Sequence, residues 1–354
     1  MVYHAGMNVS SFSEQFAALG NPAERVRWLG AHRLLGPVDM LVERGLVPAD
    51  IARLARPVAE SKGLVSAGQL AEESRVFAGL VAGEVRALAL KGCLLGHGFY
   101  PAPNQRWRAD LDLLVSPDAV DGARRVLERL GYRPMWAVAG GTPMDQESWL
   151  LGEGPNRRVV DLHWGLRNHP ILVGRLKFEE QWAASMELPG LAPGARGQGP
   201  VHALLNASMH WFDDLYDQRR PLAWLLDKDL LWRSLDQAGR EELKRLAVER
   251  ELAGLLAASL AMTRDVFDTP IQSDWLATLT EAGRTQPPTH LIRAASSPFR
   301  AYWFALCSEP GLAGKARRLR RSLFPPAAHM RQRYPEGSKF GLAGLYWRRI
   351  WRRV

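Results

Sequence analysis

The chain has few cysteines and no long apolar run. Its 354 residues include only two cysteines, Cys93 and Cys307, too few for a disulfide framework or a cysteine-based zinc site. No stretch approaches the roughly 18 consecutive apolar residues of a membrane-spanning helix. The first residues also lack the basic and apolar regions of a signal peptide. We therefore expect a cytoplasmic protein whose thiols stay reduced.

The chain also lacks an excess of basic residues outside its C-terminal tail, although the formal net charge at pH 7 is +9. Residues 315–354 contain twelve basic residues and a single acid, Glu336, so this tail carries +11 and leaves −2 for residues 1–314. This distribution weakens the case for a nucleic-acid-binding body. Apolar residues make up 47% and charged residues 23%, which is typical of globular domains.

The spacing of apolar residues predicts helices around a small strand-bearing core. Helical spacing covers residues 12–60, and Ser66 with Gln69 has the spacing of a capping box, which predicts a helix start there. Strands are predicted at residues 85–90, 111–115, 132–138 and 158–163. Further helices are predicted at residues 93–100, 120–130, 202–216, 222–235 and 241–262. The Gly- and Pro-rich residues 188–200 are interpreted as a linker.

Two aspartates lie in the predicted strand at 111–115 and its entry. Asp110 and Asp112 are two residues apart, so they share one face of a strand. Like charges on one face repel, and their burial is costly unless a cation joins them. Hard divalent cations prefer oxygen ligands, so the pair predicts a site for Mg²⁺ or Mn²⁺. Asp161, in a later apolar strand, offers a third carboxylate and shares its face with His163.

That pair has a second interpretation, because isolated Asp-x-Asp sequences also occur at solvated strand ends and in turns. Lys91-Gly92, at the end of an apolar strand, favours the metal site. A glycine there lets the backbone approach a phosphate, and the following helix would direct its N-terminus at that anion. Arg106 and Arg108 are further candidates for the phosphates, and the alternative interpretation of each is a solvated or structural cation, which the sequence favours more for Arg108 than for Arg106.

The sequence segments ALKG, RWRADLDLLV, LERLGY and VVDLHW together resemble the polymerase-β-like nucleotidyltransferase superfamily, and within it the largely uncharacterised bacterial nucleotidyltransferases. The segments HALLNASMHWFDD and RRPLAWLLDKDLL resemble the helical part of that branch more weakly. The likeness covers about residues 60–235. One departure is Cys93, which stands where other branches have a serine that helps to hold a triphosphate.

The resemblance implies an α+β fold, with a small mixed β-sheet nucleotidyltransferase core between N-terminal and C-terminal helical segments. We accordingly divide the chain into an N-terminal helical segment (1–82), the core (83–187), a helical domain (188–314) and a basic tail (315–354). It also implies that Asp110, Asp112 and Asp161 bind two Mg²⁺ or Mn²⁺ ions and perform catalysis. Lys91, Gly92, Arg106 and Arg108 would bind the nucleotide, while His163, His210 and Asp227 would surround and support the site.

The basic tail ends in an amphipathic pattern. Its apolar residues fall at helical spacing, with arginines on the other face: Ala343, Tyr346, Trp347, Ile350, Trp351 and Val354. Such a helix can lie on an anionic membrane surface or bind an acidic partner. It can equally pack its apolar stripe on the protein itself. Nucleic acid is a further, less favoured partner, with residues 315–321 extending the basic face.

Three functions follow from these patterns. The leading hypothesis is a metal-dependent nucleotidyltransferase that transfers NMP from an NTP to a hydroxyl of a small molecule, peptide or protein. The second is an inactive nucleotidyltransferase fold that serves as a binding or scaffold protein. The third is a tRNA-modifying nucleotidyltransferase that holds its substrate with the basic tail.

Overall fold

The computed structural model describes residues 10–135, 145–154, 157–166, 171–214 and 221–294, and in the tail residues 303, 306, 307, 309, 311–323, 341 and 344. The chain forms two compact units. The first comprises residues 1–168 and 172–293, and the second comprises residues 169–171 and 294–354. No helix among the described residues is both long and apolar enough to cross a membrane.

Between residue 10 and the first strand, the structure has four helices, as the apolar spacing predicts. They are α1 (Phe12–Ala17), α2 (Pro22–Ala31), α3 (Val38–Glu43) and α4 (Ala49–Ala82). The predicted helix start at Ser66 is wrong, because α4 runs straight through it. The Ser66 hydroxyl instead donates a hydrogen bond to the Lys62 carbonyl oxygen, four residues back, at 3.0 Å. Within a continuous helix the backbone N–H groups already have partners, so a capping side chain has nothing to cap.

A seven-stranded mixed sheet forms the centre of the first unit, with strand order β3-β4-β5-β2-β1-β7-β6. Its strands are β1 (Ala87–Ala89), β2 (Asp110–Val115), β3 (Arg133–Pro134), β4 (Gln146–Leu151), β5 (Arg158–His163), β6 (Met186–Glu187) and β7 (Arg196–Gly197). Strand β2 pairs antiparallel with β1 and parallel with β5. The predicted α+β class with a small mixed sheet is confirmed. Of the predicted strand at 132–138, residues 136–138 lie outside the described residues.

The linker predicted at residues 188–200 is wrong. Strand β7 lies inside it and pairs in parallel with β1, with Leu88 opposite Arg196. Strand β6, which ends just before the segment, pairs antiparallel with β7, so the segment contributes one strand to the sheet and connects it to another. Gly and Pro punctuate this segment as turns between very short strands, which local composition does not distinguish from a linker.

The other described helices lie between the strands and after them. They are α5 (Lys91–Gly98), α6 (Val120–Arg129), α7 (Phe178–Ala183), α8 (Pro200–Asp214), α9 (Ala223–Ser234), α10 (Gln237–Glu249), α11 (Ala253–Phe267), α12 (Ser273–Ala282) and α13 (Pro287–Ala294). The single helix predicted at 241–262 is in fact two, α10 and α11. The break lies at Glu251, whose φ is +54°, and the Leu252 N–H donates to the Ala247 carbonyl oxygen at 2.7 Å, as at a left-handed helix end.

The tail contributes one described helix, Gly311–Leu323. It contains residues 315–321, whose basic face the sequence predicts to continue the tail pattern. The amphipathic stripe at Ala343, Tyr346, Trp347, Ile350, Trp351 and Val354 lies outside the described residues, so that prediction stays a prediction.

Candidate metal and nucleotide site

The three predicted aspartates come together on two neighbouring parallel strands. Asp112 of β2 lies directly opposite Asp161 of β5, and Asp110 lies opposite Val159. Side chains alternate along a strand, so Asp110 and Asp112 share the face on which Asp161 stands. The apolar residues between them, Leu111 and Leu113, are fully buried. Packing of these leucines therefore fixes which face the carboxylates occupy.

Asp112 is the most enclosed of the three, with 5% of its surface exposed. The His163 Nε2 atom lies 3.0 Å from its Oδ1 atom, and the Lys91 ammonium forms an ion pair with the same oxygen. Burial alone would raise the pKa of Asp112, but the Lys91 charge and the His163 hydrogen bond outweigh it and lower the pKa well below its usual range. Burial lowers the pKa of His163, so a neutral ring donates from Nε2.

Asp110 has the opposite electrostatic character. Burial, followed by the nearby charges of Asp112 and Asp161, raises the pKa of Asp110 to about 6. Burial is the larger cause, and the like-charge repulsion that the two-residue spacing predicts adds to it. A divalent cation would relieve this repulsion, because it adds positive charge to that of Lys91, which pairs with Asp112.

Asp161 is half-buried and has a partner that the sequence did not reveal. Ser148 of β4 lies opposite Asp161 in the antiparallel register, and its hydroxyl donates to the Asp161 Oδ1 atom at 2.5 Å. Nothing in the sequence around Ser148 indicates this role, because it depends on the pairing of β4 with β5.

The donor atoms fit a hard divalent cation. One ligand atom each from Asp112, Asp161 and His163 lie within 4.8 Å of one another. Carboxylate oxygens and an imidazole nitrogen suit Mn²⁺, and the carboxylates alone suit Mg²⁺. The sequence assigned His163 a supporting role, and its Nε2 hydrogen bond to Asp112 fits that role. This nitrogen would serve as a metal ligand only after giving up that hydrogen bond.

Lys91 and Gly92 begin helix α5 directly after β1. Lys91 adopts a left-handed backbone with φ +43°, which is uncommon for a residue with a side chain. No side-chain hydrogen bond from a described residue caps this helix start. A Cβ atom on Gly92 would lie 3.0 Å from Arg108 Cδ, so the neighbouring arginine gives this glycine a packing role.

The structure directs Arg108 away from the carboxylates and towards helix α4. Its Nε atom donates to Glu73 Oε1 at 2.6 Å, and a second guanidinium nitrogen pairs with Oε2 of the same carboxylate. A third donates to the Pro103 carbonyl oxygen at 2.9 Å. Its donors are thus engaged within the fold, which is the structural-cation interpretation of this residue.

Glu73 is the main residue that sequence reasoning missed. Its side chain is fully buried, and it also accepts hydrogen bonds from Gln69 at 3.2 Å and from His97 at 3.3 Å. Burial by itself raises the pKa of Glu73, but the hydrogen bonds from Arg108 and His97 hold the pKa below its ordinary value. In the sequence it is one of two consecutive acids, Glu72 and Glu73, and nothing in that pair distinguishes a buried carboxylate from a solvated one.

Cys93 is the third residue of helix α5, directly after Lys91 and Gly92. It is buried, and burial followed by the Glu73 charge raises the pKa of its thiol well above the usual value. The residue is therefore a packed, protonated thiol beside Glu73.

Arg106 and Asp227 form a buried ion pair. The Arg106 Nε and Nη2 atoms donate to the two Asp227 carboxylate oxygens at 2.8 Å each. The Tyr100 hydroxyl also donates to Asp227 at 2.8 Å. The ring of His210 meets Trp224 edge-on, with centroids 5.5 Å apart. Arg106 and Asp227 thus join the segment before β2 to helix α9.

A cavity adjoins the carboxylates at Lys91. It has an empty volume of about 510 Å³ and lies among helices α5, α8 and α9 and the end of β7. Its lining combines apolar, aromatic and polar side chains, including Lys91, Arg106, Gln198, Asn206, His210, Trp211, Trp224 and Asp227. Four residues assigned to the site from sequence therefore share one cavity wall: Lys91, Arg106, His210 and Asp227.

A comparison with family models identifies the family of the chain. The chain belongs to a family described as uncharacterised nucleotidyltransferase, whose model matches residues 21–268. This membership confirms the resemblance to nucleotidyltransferases and supports a general nucleotidyl-transfer function with an NTP as substrate. No curated protein matches the chain.

Proposed function

We propose that the protein is a metal-dependent nucleotidyltransferase that transfers NMP from an NTP to a hydroxyl group of a small molecule, peptide or protein. The observation that carries the proposal is the register of β2 and β5, which sets Asp112 beside Asp161 with Asp110 on the same face. Three carboxylates on one sheet face suit a pair of divalent ions. Lys91 then stands at the side from which a triphosphate would approach.

Asp110, Asp112 and Asp161 would hold Mg²⁺ or Mn²⁺. When bound, such ions neutralise the triphosphate and lower the pKa of an attacking hydroxyl. The elevated pKa of Asp110, about 6, agrees with this fit, because burial and, after it, the neighbouring carboxylates disfavour the ionised form in the absence of a cation. His163 positions Asp112 through its Nε2 hydrogen bond, and Ser148 positions Asp161.

The chain's own groups define the remaining steps. The uncapped start of α5 and the Lys91 ammonium bind and orient the phosphates. The acceptor oxygen attacks the α-phosphorus and forms a new P–O bond. The bond to the bridging oxygen of the β-phosphate breaks, so pyrophosphate leaves. Asp161, half-buried on the edge of the site, receives the proton of the acceptor hydroxyl.

Arg106 and Arg108 take a different part in this proposal from the one their sequence positions suggested. Both guanidinium groups are committed to buried carboxylates, Asp227 and Glu73. We therefore assign the two arginines a structural role, in which they support the strand that carries Asp110 and Asp112. We assign phosphate binding to Lys91.

The test is pyrophosphate release and label transfer with each of the four labelled NTPs, Mg²⁺ and cell lysate as a source of acceptors. We expect Asp110→Ala with Asp112→Ala to abolish both signals. Asp118→Asn is the matched control, since Asp118 is an exposed aspartate just beyond the same strand, and it should keep full activity. Undiminished activity in the double variant would overturn the site assignment.

We also propose that the basic tail binds an anionic membrane surface. Within the described helix Gly311–Leu323, Leu312 is 85% exposed and Leu319 is 44% exposed, which favours an apolar contact beside basic residues. Anionic vesicles should sediment the full chain, and a chain ending after Ser338 or carrying Leu312→Asp with Leu319→Asp should sediment less. Equal partitioning of all three would remove this partner.

A further inference from the structure

The cavity beside Lys91 contains groups that the nucleotidyl-transfer mechanism does not use. Its walls come from α5, α8 and α9, and its empty volume of about 510 Å³ includes the part that is open to solvent. Lys91 lines it and also pairs with Asp112. A ligand in the cavity would therefore reach the carboxylates, so the inference below rests on the proposed function.

The cavity wall is close to electrically neutral. Arg106 and Asp227 both line it, but they neutralise each other through two hydrogen bonds of 2.8 Å. The Lys91 ammonium, at the edge nearest the carboxylates, is paired with Asp112. An anionic group gains little from such walls, because the available positive charge is already matched by negative charge.

The wall does offer aromatic faces and a buried donor. Trp224 and His210 line it side by side. Trp211 is 6% exposed, and its indole Nε1 atom has no hydrogen-bond partner among the described residues. A buried N–H without an acceptor is costly, and a ligand atom that accepts its hydrogen bond would remove this cost.

Two amide side chains on the same wall are held in fixed orientations. The Asn206 amide donates to Gln198 Oε1 at 3.0 Å, and the Gln198 amide donates to Gln181 Oε1 at 2.5 Å. These two hydrogen bonds keep polar atoms at defined places beside the aromatic side chains. A few fixed polar groups in a largely apolar pocket are typical of sites that select one ring over another.

We propose that this cavity binds an uncharged, planar heteroaromatic ring that carries a hydrogen-bond acceptor. Such a ring can come from the base of the NTP or from an aromatic acceptor substrate. In both cases the ring packs on Trp224 and accepts a hydrogen bond from Trp211, while the reacting group extends past Lys91 to the aspartates.

The test uses phosphate-free probes, so that binding does not depend on metal or on the carboxylates. The full-length protein is titrated with the four ribonucleosides and with two uncharged heteroaromatic amides, nicotinamide and pyrazinamide, and binding is followed by saturation-transfer NMR and equilibrium dialysis. We expect at least one probe to bind in the absence of any metal ion.

Two cavity variants and one control identify the binding place. Ala207→Phe fills the cavity, and Trp211→Phe removes the indole donor while keeping an aromatic ring. Each should weaken the probe by about tenfold or more, the effect expected for a lost stacking partner or buried hydrogen bond. Val201→Phe changes a half-buried position of α8 outside the cavity and should bind as the wild type does. Thermal unfolding checks that all variants are folded.

Each outcome decides the proposal. Binding of one nucleoside that both cavity variants weaken supports a base subsite, and the same result with an aromatic amide supports an acceptor subsite. If no probe binds, or if both cavity variants bind as tightly as the wild type, the proposal is overturned. A failure of the proposed function shows separately, as wild-type protein without any pyrophosphate release.

Discussion

The Lys91 ammonium forms an ion pair with the Asp112 carboxylate, at the oxygen that His163 Nε2 approaches at 3.0 Å. The candidate metal site thus contains a cation of its own. Lys91 begins α5 with a left-handed backbone, and Asp112 lies in the middle of β2, so the pair also joins the helix to the strand. A lysine that binds a phosphate has to leave this carboxylate.

We therefore expect Lys91→Met to tighten divalent cation binding. Without the ammonium, Asp112 offers a free carboxylate oxygen, and the affinity for Mn²⁺ should rise by roughly tenfold, the equivalent of about one pKa unit of electrostatic competition. Calorimetric titration with Mn²⁺ measures it. Nucleotide affinity should fall in the same variant, because a phosphate-binding cation is lost.

The control for that experiment is Lys244→Met, which removes a lysine paired with Glu241 at 2.5 Å on helix α10. It should change neither affinity. Weaker Mn²⁺ binding in Lys91→Met than in the wild type would contradict competition between the lysine and the metal.

The Glu73–Arg108 pair gives a prediction about stability. Glu73→Gln leaves the Arg108 guanidinium buried without its counter-ion, which typically costs about 3–5 kcal/mol. Chemical denaturation should show this loss in the free energy of unfolding. The exposed pair Arg86–Glu179 supplies the comparison, since Glu179→Gln should cost less than about 1 kcal/mol. Equal effects of the two substitutions would remove the special role of the buried pair.

The same carboxylate predicts a pH dependence. The folded pKa of Glu73 lies below its ordinary value of 4.5, so below that pH the unfolded chain binds more protons than the folded one. Its contribution is complete above pH 4.5 and is lost as the pH falls towards the folded pKa. The difference in free energy of unfolding between wild type and Glu73→Gln should then shrink, by at most about 1.4 kcal/mol per pH unit. A difference that stays constant from neutral to strongly acidic pH would contradict this.

Gly96 gives a matched pair of glycine substitutions within α5. A Cβ atom at Gly96 would lie 2.7 Å from Arg108 Nη1 and 2.9 Å from the Pro103 carbonyl oxygen. Gly96→Ala should therefore destabilise the protein by about 1–3 kcal/mol through overpacking, despite the better helix propensity of alanine. Gly98→Ala places its Cβ 3.4 Å from flexible side chains and should be neutral or stabilising. Thermal unfolding distinguishes the two, and an equal effect of both would contradict the packing explanation.

Local patterns succeeded where a single element carries the information. The alternation of Leu111 and Leu113 with Asp110 and Asp112 predicted both a strand and a shared carboxylate face, and β2 has that form. The break between α10 and α11 was missed because it depends on one left-handed residue, Glu251. Apolar spacing continues across such a break, so periodicity does not reveal it.

Local sequence patterns do not reveal contacts between segments that are far apart in the chain. Glu73 and Arg108 are separated by 35 residues, and Ser148 reaches Asp161 only because β4 pairs with β5 in one particular register. A charged residue has the same local appearance whether it faces a phosphate or a buried carboxylate. The assignments of Arg106 and Arg108 therefore stayed open until their partners were located.

By itself, the sequence determined the α+β class, the strands that carry the aspartates and the resemblance to nucleotidyltransferases, because periodicity and short motifs are properties of neighbouring residues. Only the tertiary structure decided that Asp112 stands beside Asp161, that Lys91 holds Asp112, and that Arg106 and Arg108 support the fold through buried carboxylates. It also decided that residues 188–200 extend the sheet. These relationships arise from strand register and helix packing, which bring together side chains that no local pattern connects.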